Sequence, residues 1–122
     1  MAAVQLISIV DDDPSMRTAL GGLVRSLGYD AREFASAEEF LACQDLLSFD
    51  CTITDIQMPG MNGFELTRQL GTRHGSLPVI MITARAEPDL EEQAMASGAT
   101  CFLRKPFPAE TLMCCLEKAL GV

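Results

Sequence analysis

The chain has 122 residues, 48% apolar and 21% charged, which is material for one globular domain and too little for two independent cores. Seventeen acidic against nine basic side chains give a net charge of −8 with His neutral, a surface that repels phosphate backbones and argues against direct nucleic-acid binding. No apolar run approaches the roughly 20 residues of a membrane span, and the opening Met-Ala-Ala-Val-Gln lacks the basic and apolar regions of a secretory leader.

Val4 to Val10 is an apolar, β-branched run that reads as a buried strand. Met16, Leu20, Leu23, Val24 and Leu27 then recur at spacings of three and four, the stripe of an amphipathic helix. Asp13 is placed to cap that helix, Pro14 to occupy its first position and Gly28 to end it. Asp30 to Ala35 predicts a second strand, and the capping-box sequence Ser36-Ala-Glu-Glu39 opens a second helix expected to run to about Leu47. Asp50 to Thr54 is a third strand. The turn-rich Met58-Pro-Gly-Met-Asn-Gly63 leads into a third helix carrying Phe64, Leu66, Thr67 and Leu70. Leu77 to Thr83 is a fourth strand, and Pro88 and Gly98 bracket a fourth helix. Thr100 to Leu103 is a last strand, and Pro108 starts a final helix with Leu112, Cys115, Leu116 and Ala119 inward.

Five strand–helix units in strict alternation predict an α/β fold with a parallel sheet covered on both faces. In such sheets the functional groups gather beyond the carboxyl ends of the strands. The first strand ends in Asp11-Asp12-Asp13, the third in Asp55, the fourth in Thr83 and the fifth in Arg104-Lys105. Converging carboxylates a few Å apart repel by a few kcal/mol at surface-like dielectric, about the cost that a hard divalent cation removes. Lys105 adds a positive point charge and Thr83 a hydroxyl, so the set has the make-up of a phosphoryl-transfer centre. Taken singly, each residue has an ordinary explanation. Asp13 is a helix cap, Asp55 a turn former near Pro59 and Gly60, and Lys105 a surface lysine; the combination carries the inference.

Four segments in order, Ile9-Val-Asp-Asp-Asp-Pro14, Thr54-Asp-Ile-Gln-Met-Pro-Gly-Met-Asn-Gly63, Val79-Ile-Met-Ile-Thr-Ala84 and Gly98-Ala-Thr-Cys-Phe-Leu-Arg-Lys-Pro-Phe107, resemble a two-component response-regulator receiver domain. Ser36-Ala-Glu-Glu-Phe-Leu41 and Phe102 look most like its FixJ-type branch. The resemblance covers essentially the whole chain and implies one receiver domain over residues 1–122. The fold it implies is the three-layer, doubly wound (βα)5 flavodoxin-like or CheY-like one, with strand order 2-1-3-4-5. By the same resemblance Asp55 is the phosphoacceptor, Asp12 a direct metal ligand, Asp11 a neighbour acting through metal-bound water, and the backbone carbonyl of Gln57 the third protein ligand. Thr83 corresponds to the switch hydroxyl, Phe102 to the rotameric aromatic, Lys105 to the phosphate-binding lysine and Lys105-Pro106 to the family's cis peptide. The implied cofactor is Mg²⁺, with Mn²⁺ able to take its place. The implied partners are a sensor histidine kinase, a second copy on phosphorylation, and a DNA-binding output domain of LuxR type beyond this chain. The implied protein catalyses only its own phosphoryl transfer and slow dephosphorylation. One departure is Ala84-Arg-Ala-Glu87 after the switch Thr, where FixJ-type chains often carry Gly and His.

A rival from another class is a haloacid-dehalogenase-like, Mg²⁺-dependent phosphatase, with Asp11 as nucleophile and Asp13 as acid–base; it needs a second, late acidic pair that the chain lacks. A flavodoxin-like cofactor site would want a Gly- or Ser-rich first loop where this one is triply acidic. A receiver serving only as an interaction module would not need the intact acidic set. The five cysteines show no Cys-x-x-Cys pair and only one His, His74, accompanies them, so they read as reduced thiols of a cytoplasmic protein. His74 itself reads as a surface residue, and Arg85, Glu87 and Glu91 as a solvated face.

Overall fold

The computed structural model describes residues 4–75 and 77–121. The first residues, read above for a leader, and the outermost residue of the span 1–122 fall outside them. Five strands and five helices alternate: β1 (Leu6–Val10), α1 (Pro14–Ser26), β2 (Asp30–Phe34), α2 (Ala37–Leu41), β3 (Cys51–Asp55), α3 (Gly63–Arg73), β4 (Val79–Thr83), α4 (Leu90–Ala96), β5 (Cys101–Arg104) and α5 (Ala109–Leu120). The strands form one parallel sheet in the order β2-β1-β3-β4-β5. Because side chains alternate across a strand, the sheet feeds two cores. Ile7, Ile9, Ile53, Ile80, Ile82 and Leu103 pack under Leu20 and Val24 of α1 and Leu112 and Leu116 of α5. Val10, Val79 and Met81 pack on the other side with Phe40, Leu66, Leu70 and Ala94 of α2, α3 and α4. The hydroxyls of Ser8 and Thr52, buried between β1 and β3, satisfy each other at 2.7 Å.

The helix starts follow the sequence. Asp13 caps α1 by accepting the Ser15 N–H at 2.9 Å, with Pro14 first in the helix, and Ser36 caps α2 by accepting the Glu39 N–H at 3.0 Å. Asn62, unremarked in the sequence, caps α3 through the Glu65 N–H at 2.9 Å. Three boundaries differ from expectation. Pro88 and Pro108 precede their helices rather than opening them, leaving α4 and α5 without a side-chain cap. The second helix stops at Leu41 instead of reaching Leu47. Its last turn tightens, Cys43 N–H turning to the Phe40 carbonyl, and a short 3-10 turn at Leu46–Ser48 follows. The break lets Phe49 drop into the core at 2% exposure, its ring 5.2 Å from Phe40 and 5.8 Å from Phe34, while Leu47 is left 74% exposed. His74 is also not a free surface residue: it ends α3 half-buried, its Nε2 3.2 Å from the Phe49 carbonyl.

Phe49→Ala should therefore destabilise the fold by about 3–5 kcal/mol, whereas Leu47→Ala should stay within about 0.5 kcal/mol. Urea unfolding measures both, and comparable losses at the two positions would contradict the broken helix.

Candidate functional site

Strand order reverses between β1 and β3, which run side by side with Val10 level with Thr54. The residues after each strand, Asp11 and Asp55, therefore arrive at the same edge, where open α/β sheets leave a crevice. Asp12 joins them: one carboxylate oxygen from each of Asp11, Asp12 and Asp55 lies within 4.8 Å of the other two. On the far side β5 is level with β4, Thr83 opposite Arg104, and the Lys105 N–H donates to the Thr83 carbonyl at 2.8 Å. That register sends the Lys105 ammonium back across the edge, 3.5 Å from Asp11 Oδ2 and 3.9 Å from Asp55 Oδ2.

The three carboxylates are not equivalent. Asp11 is fully buried; its Oδ1 accepts the Asp13 N–H at 3.0 Å. Its Oδ2 is buried without a hydrogen bond, although the Lys105 charge is near. Asp12 is exposed. Asp55 is 15% exposed and accepts the Ile56 N–H at 2.7 Å through Oδ1, leaving Oδ2 toward Lys105. Burial pushes the Asp55 carboxyl above its ordinary value; Lys105 pulls it down, the Asp11 charge pushes it up, the Ile56 N–H lowers it and Asp12 raises it. An orphaned buried carboxylate oxygen beside two further carboxylates is the donor set a hard divalent cation requires, so these residues fit a metal of that class.

Thr83 is buried below this cluster. Its hydroxyl accepts the Arg85 N–H at 3.0 Å and donates to Gln57 Oε1 at 3.3 Å, so Gln57 meets the site through its side chain as well as by its position two residues after Asp55. Phe102 stands level with Met81 on β5, half-buried against the α2–α4 core. The Lys105–Pro106 peptide is cis. All seven residues singled out from the sequence thus lie along the carboxyl edge or on the strand leading to it. The contacts of two arginines at this edge were not foreseen. The Arg17 guanidinium donates to the Asp11 carbonyl at 2.7 Å, tying α1 to the acidic loop. Arg104 lies over Phe102, 5.5 Å from the ring centroid, and donates to the Glu87 carbonyl at 3.0 Å.

With this geometry in hand, comparison with known proteins decides the family. Residues 7–117 match the response regulator receiver domain model. The chain belongs to the receiver domain family of two-component response regulators. It is 35% identical over 93% of its length to the transcriptional regulatory protein FixJ of Bradyrhizobium diazoefficiens, of which it covers 56%. A crystal structure of FixJ-N superposes with a TM-score of 0.89 at 32% identity, over 98% of this chain and 96% of that one. Chemotaxis protein CheY4 of Vibrio cholerae gives 0.87 at 32% identity, over 97% and 100%. The chain spans about half the length of the FixJ proteins it matches. The phosphatase alternative is not supported. Asp13, which that reading needs as acid–base, spends its carboxylate on capping α1, and Asp11 is sealed from solvent. Among the described residues no helix is long and apolar enough to cross a membrane.

The raised Asp55 value has a stability consequence with a definite sign. Folded Asp55 titrates above the unfolded value of 3.8, so its ionised form destabilises the metal-free fold at neutral pH. That penalty fades as pH falls through the folded value and is gone below the unfolded one. Asp55→Asn should raise the urea midpoint of chelator-treated protein at neutral pH, with a gain that shrinks in acid; an unchanged or lowered midpoint at neutral pH would contradict it.

Proposed function

We propose that the carboxyl edge accepts a phosphoryl group on Asp55 from a histidine kinase. What supports this above all is the pairing of Asp55 Oδ2, the oxygen not engaged by the Ile56 N–H, with the Lys105 ammonium inside a carboxylate cluster able to hold a cation. Asp55 Oδ2 attacks the phosphorus of a phosphohistidine, an oxygen–phosphorus bond forms, and the nitrogen–phosphorus bond breaks. The ring leaves as neutral imidazole, its other nitrogen already carrying a proton. Asp12, Asp55 and the Gln57 carbonyl, with Asp11 beside them, would hold Mg²⁺, which would supply positive charge to offset the carboxylates and the phosphoryl oxygens; Mn²⁺ would serve as well. Lys105 takes up phosphoryl charge as the group passes from the donor to Asp55, and the Ile56 N–H holds Asp55 Oδ1, which leaves Oδ2 on the Lys105 side. A donor protein finds apolar contact surface next to this edge in a groove of about 510 Å³ between α1 and the segment after β5, lined by Met16, Leu20, Leu23 and Phe107.

Signalling follows from where Thr83 sends its proton. In the unmodified domain the hydroxyl donates to Gln57. A phosphoryl oxygen on Asp55 competes for it, draws Thr83 toward the edge, and frees space for Phe102 to move inward. Arg104 then loses the ring it covers, and the loop it holds through the Glu87 carbonyl is released, so the α4–β5 face changes. We assign that face to contact with a second copy or with an output domain, and the transcriptional role of the FixJ relatives supports a DNA-binding output outside this chain. The free cysteines, among them buried Cys51 and Cys101, suit a reducing cytoplasmic setting.

Acetyl phosphate or phosphoramidate with Mg²⁺ should place one hydroxylamine-labile label on Asp55. Asp55→Asn should abolish it, and Lys105→Ala should slow it by about 100-fold. Thr83→Ala should still be labelled while the change at Phe102, followed by NMR, is lost. Labelling of Asp55→Asn at the wild-type rate would overturn the assignment of the nucleophile.

A further inference from the structure

We propose that Glu38, on the exposed surface of α2 and remote in sequence from every residue of the acidic edge, is a positioning residue for the metal-binding loop after β3. This rests on the reading of Asp12, Asp55 and the Gln57 carbonyl as the cation site. The loop is closed at its base: the Gly63 N–H donates to the Ile56 carbonyl at 2.9 Å, and the Ile56 N–H also reaches the Ile82 carbonyl at 3.1 Å. Gly63 is needed there, since a β-carbon would come within 2.6 Å of the Asp55 carbonyl oxygen. Between these ends the loop turns at Pro59-Gly60, with Gly60 at φ +75°. Beyond the turn the Met61 N–H donates to Glu38 Oε2 at 3.0 Å, 23 residues away in the chain.

Two observations mark this contact as more than a chance surface bond. The Met61 N–H, with the Glu38 backbone N–H after it, holds the Glu38 carboxyl below its ordinary value, so the acceptor is ionised and the bond is charge-assisted. Gly60 is shaped to admit it: a β-carbon there would sit 2.6 Å from Glu38 Oε2 and would displace the carboxylate. Glu38 itself is held in the first turn of its helix, which Ser36 caps two residues earlier. The loop is thus pinned at its base by the sheet and beyond its apex by α2, and Gln57 lies between the two anchors. A backbone carbonyl that serves as a ligand must be presented in one orientation, and outer partners that orient ligands commonly alter metal affinity by about 10-fold or more when removed.

The test is Mg²⁺ titration, by calorimetry and by the Gln57 and Met58 amide signals, alongside the Mg²⁺ dependence of labelling by acetyl phosphate. Glu38→Ala should weaken Mg²⁺ binding by about 10-fold and raise the Mg²⁺ concentration for half-maximal labelling, while the rate at saturating Mg²⁺ stays near wild type. Glu38→Gln, which keeps an acceptor without the charge, should fall between. Gly60→Ala should reproduce the loss from the other side of the contact. Asp12→Asn is the control: if it weakens Mg²⁺ binding and Glu38→Ala does not, the role of Glu38 is overturned and the site stands. If neither variant weakens binding, the site reading itself has failed.

Discussion

The arrangement depends on one unfavourable electrostatic fact, the crowding of Asp11, Asp12 and Asp55 at a single sheet edge where, among the described residues, Lys105 alone forms ion pairs with them. At an effective dielectric near 20, two unit charges 4 Å apart interact by about 4 kcal/mol, so one ammonium does not balance three carboxylates. The fold tolerates this because Asp12 is exposed to solvent and the two less exposed carboxylates have local anchors. Asp11 and Asp55 each accept a backbone N–H, and the Asp11 carbonyl is tied to Arg17. What stays unanswered is the Asp11 oxygen that faces inward with no hydrogen bond. A divalent cation would bring the cluster to neutrality, and under the proposed function a phosphoryl group would then add the negative charge that Lys105 is placed to meet. The same imbalance that costs stability in the bare protein would, under the proposed function, favour metal and phosphoryl group together.

The sheet supplies the precision. Val10 and Thr54 are level, so Asp11 and Asp55 emerge side by side; Thr83 and Arg104 are level, so Lys105 is directed back over them. A slip of one residue in either pairing would turn the side chains to the opposite face and scatter the set. Apolar packing on both faces guards against that slip, since Ile7, Ile9, Ile53, Ile80 and Ile82 would all exchange cores with their neighbours. Fold stability and site geometry are therefore one constraint viewed from two ends of the same strands.

Much of this was legible in the chain because it rests on short-range rules. The strand–helix alternation, the Asp13 and Ser36 caps and the positions of Asp11, Asp55, Thr83 and Lys105 at strand ends all follow from local pattern plus the topology of parallel sheets. Two of the misreadings, the end of the second helix and the setting of His74, have a common cause. The helix expected to reach Leu47 stops at Leu41 because burial of Phe49 against Phe34 and Phe40 outweighs continuing the turn, and His74 is drawn in by the Phe49 carbonyl exposed to it. Neither partner is near in sequence. The same holds for Glu38: its capping-box setting marks it as a first-turn acid, which is correct, but nothing local points to Met61 across the loop. Arg17 and Arg104 look like ordinary surface bases until the carbonyls they serve are in place.

The central claim is that one cation bridges the first and third strands. Crystals of the protein grown with Mn²⁺ test it through anomalous scattering, which locates the ion independently of any catalytic readout. The account requires a single strong peak in contact with both the Asp12 and Asp55 carboxylates. An ion bound away from Asp55, or no ion at this edge at saturating Mn²⁺, would contradict it.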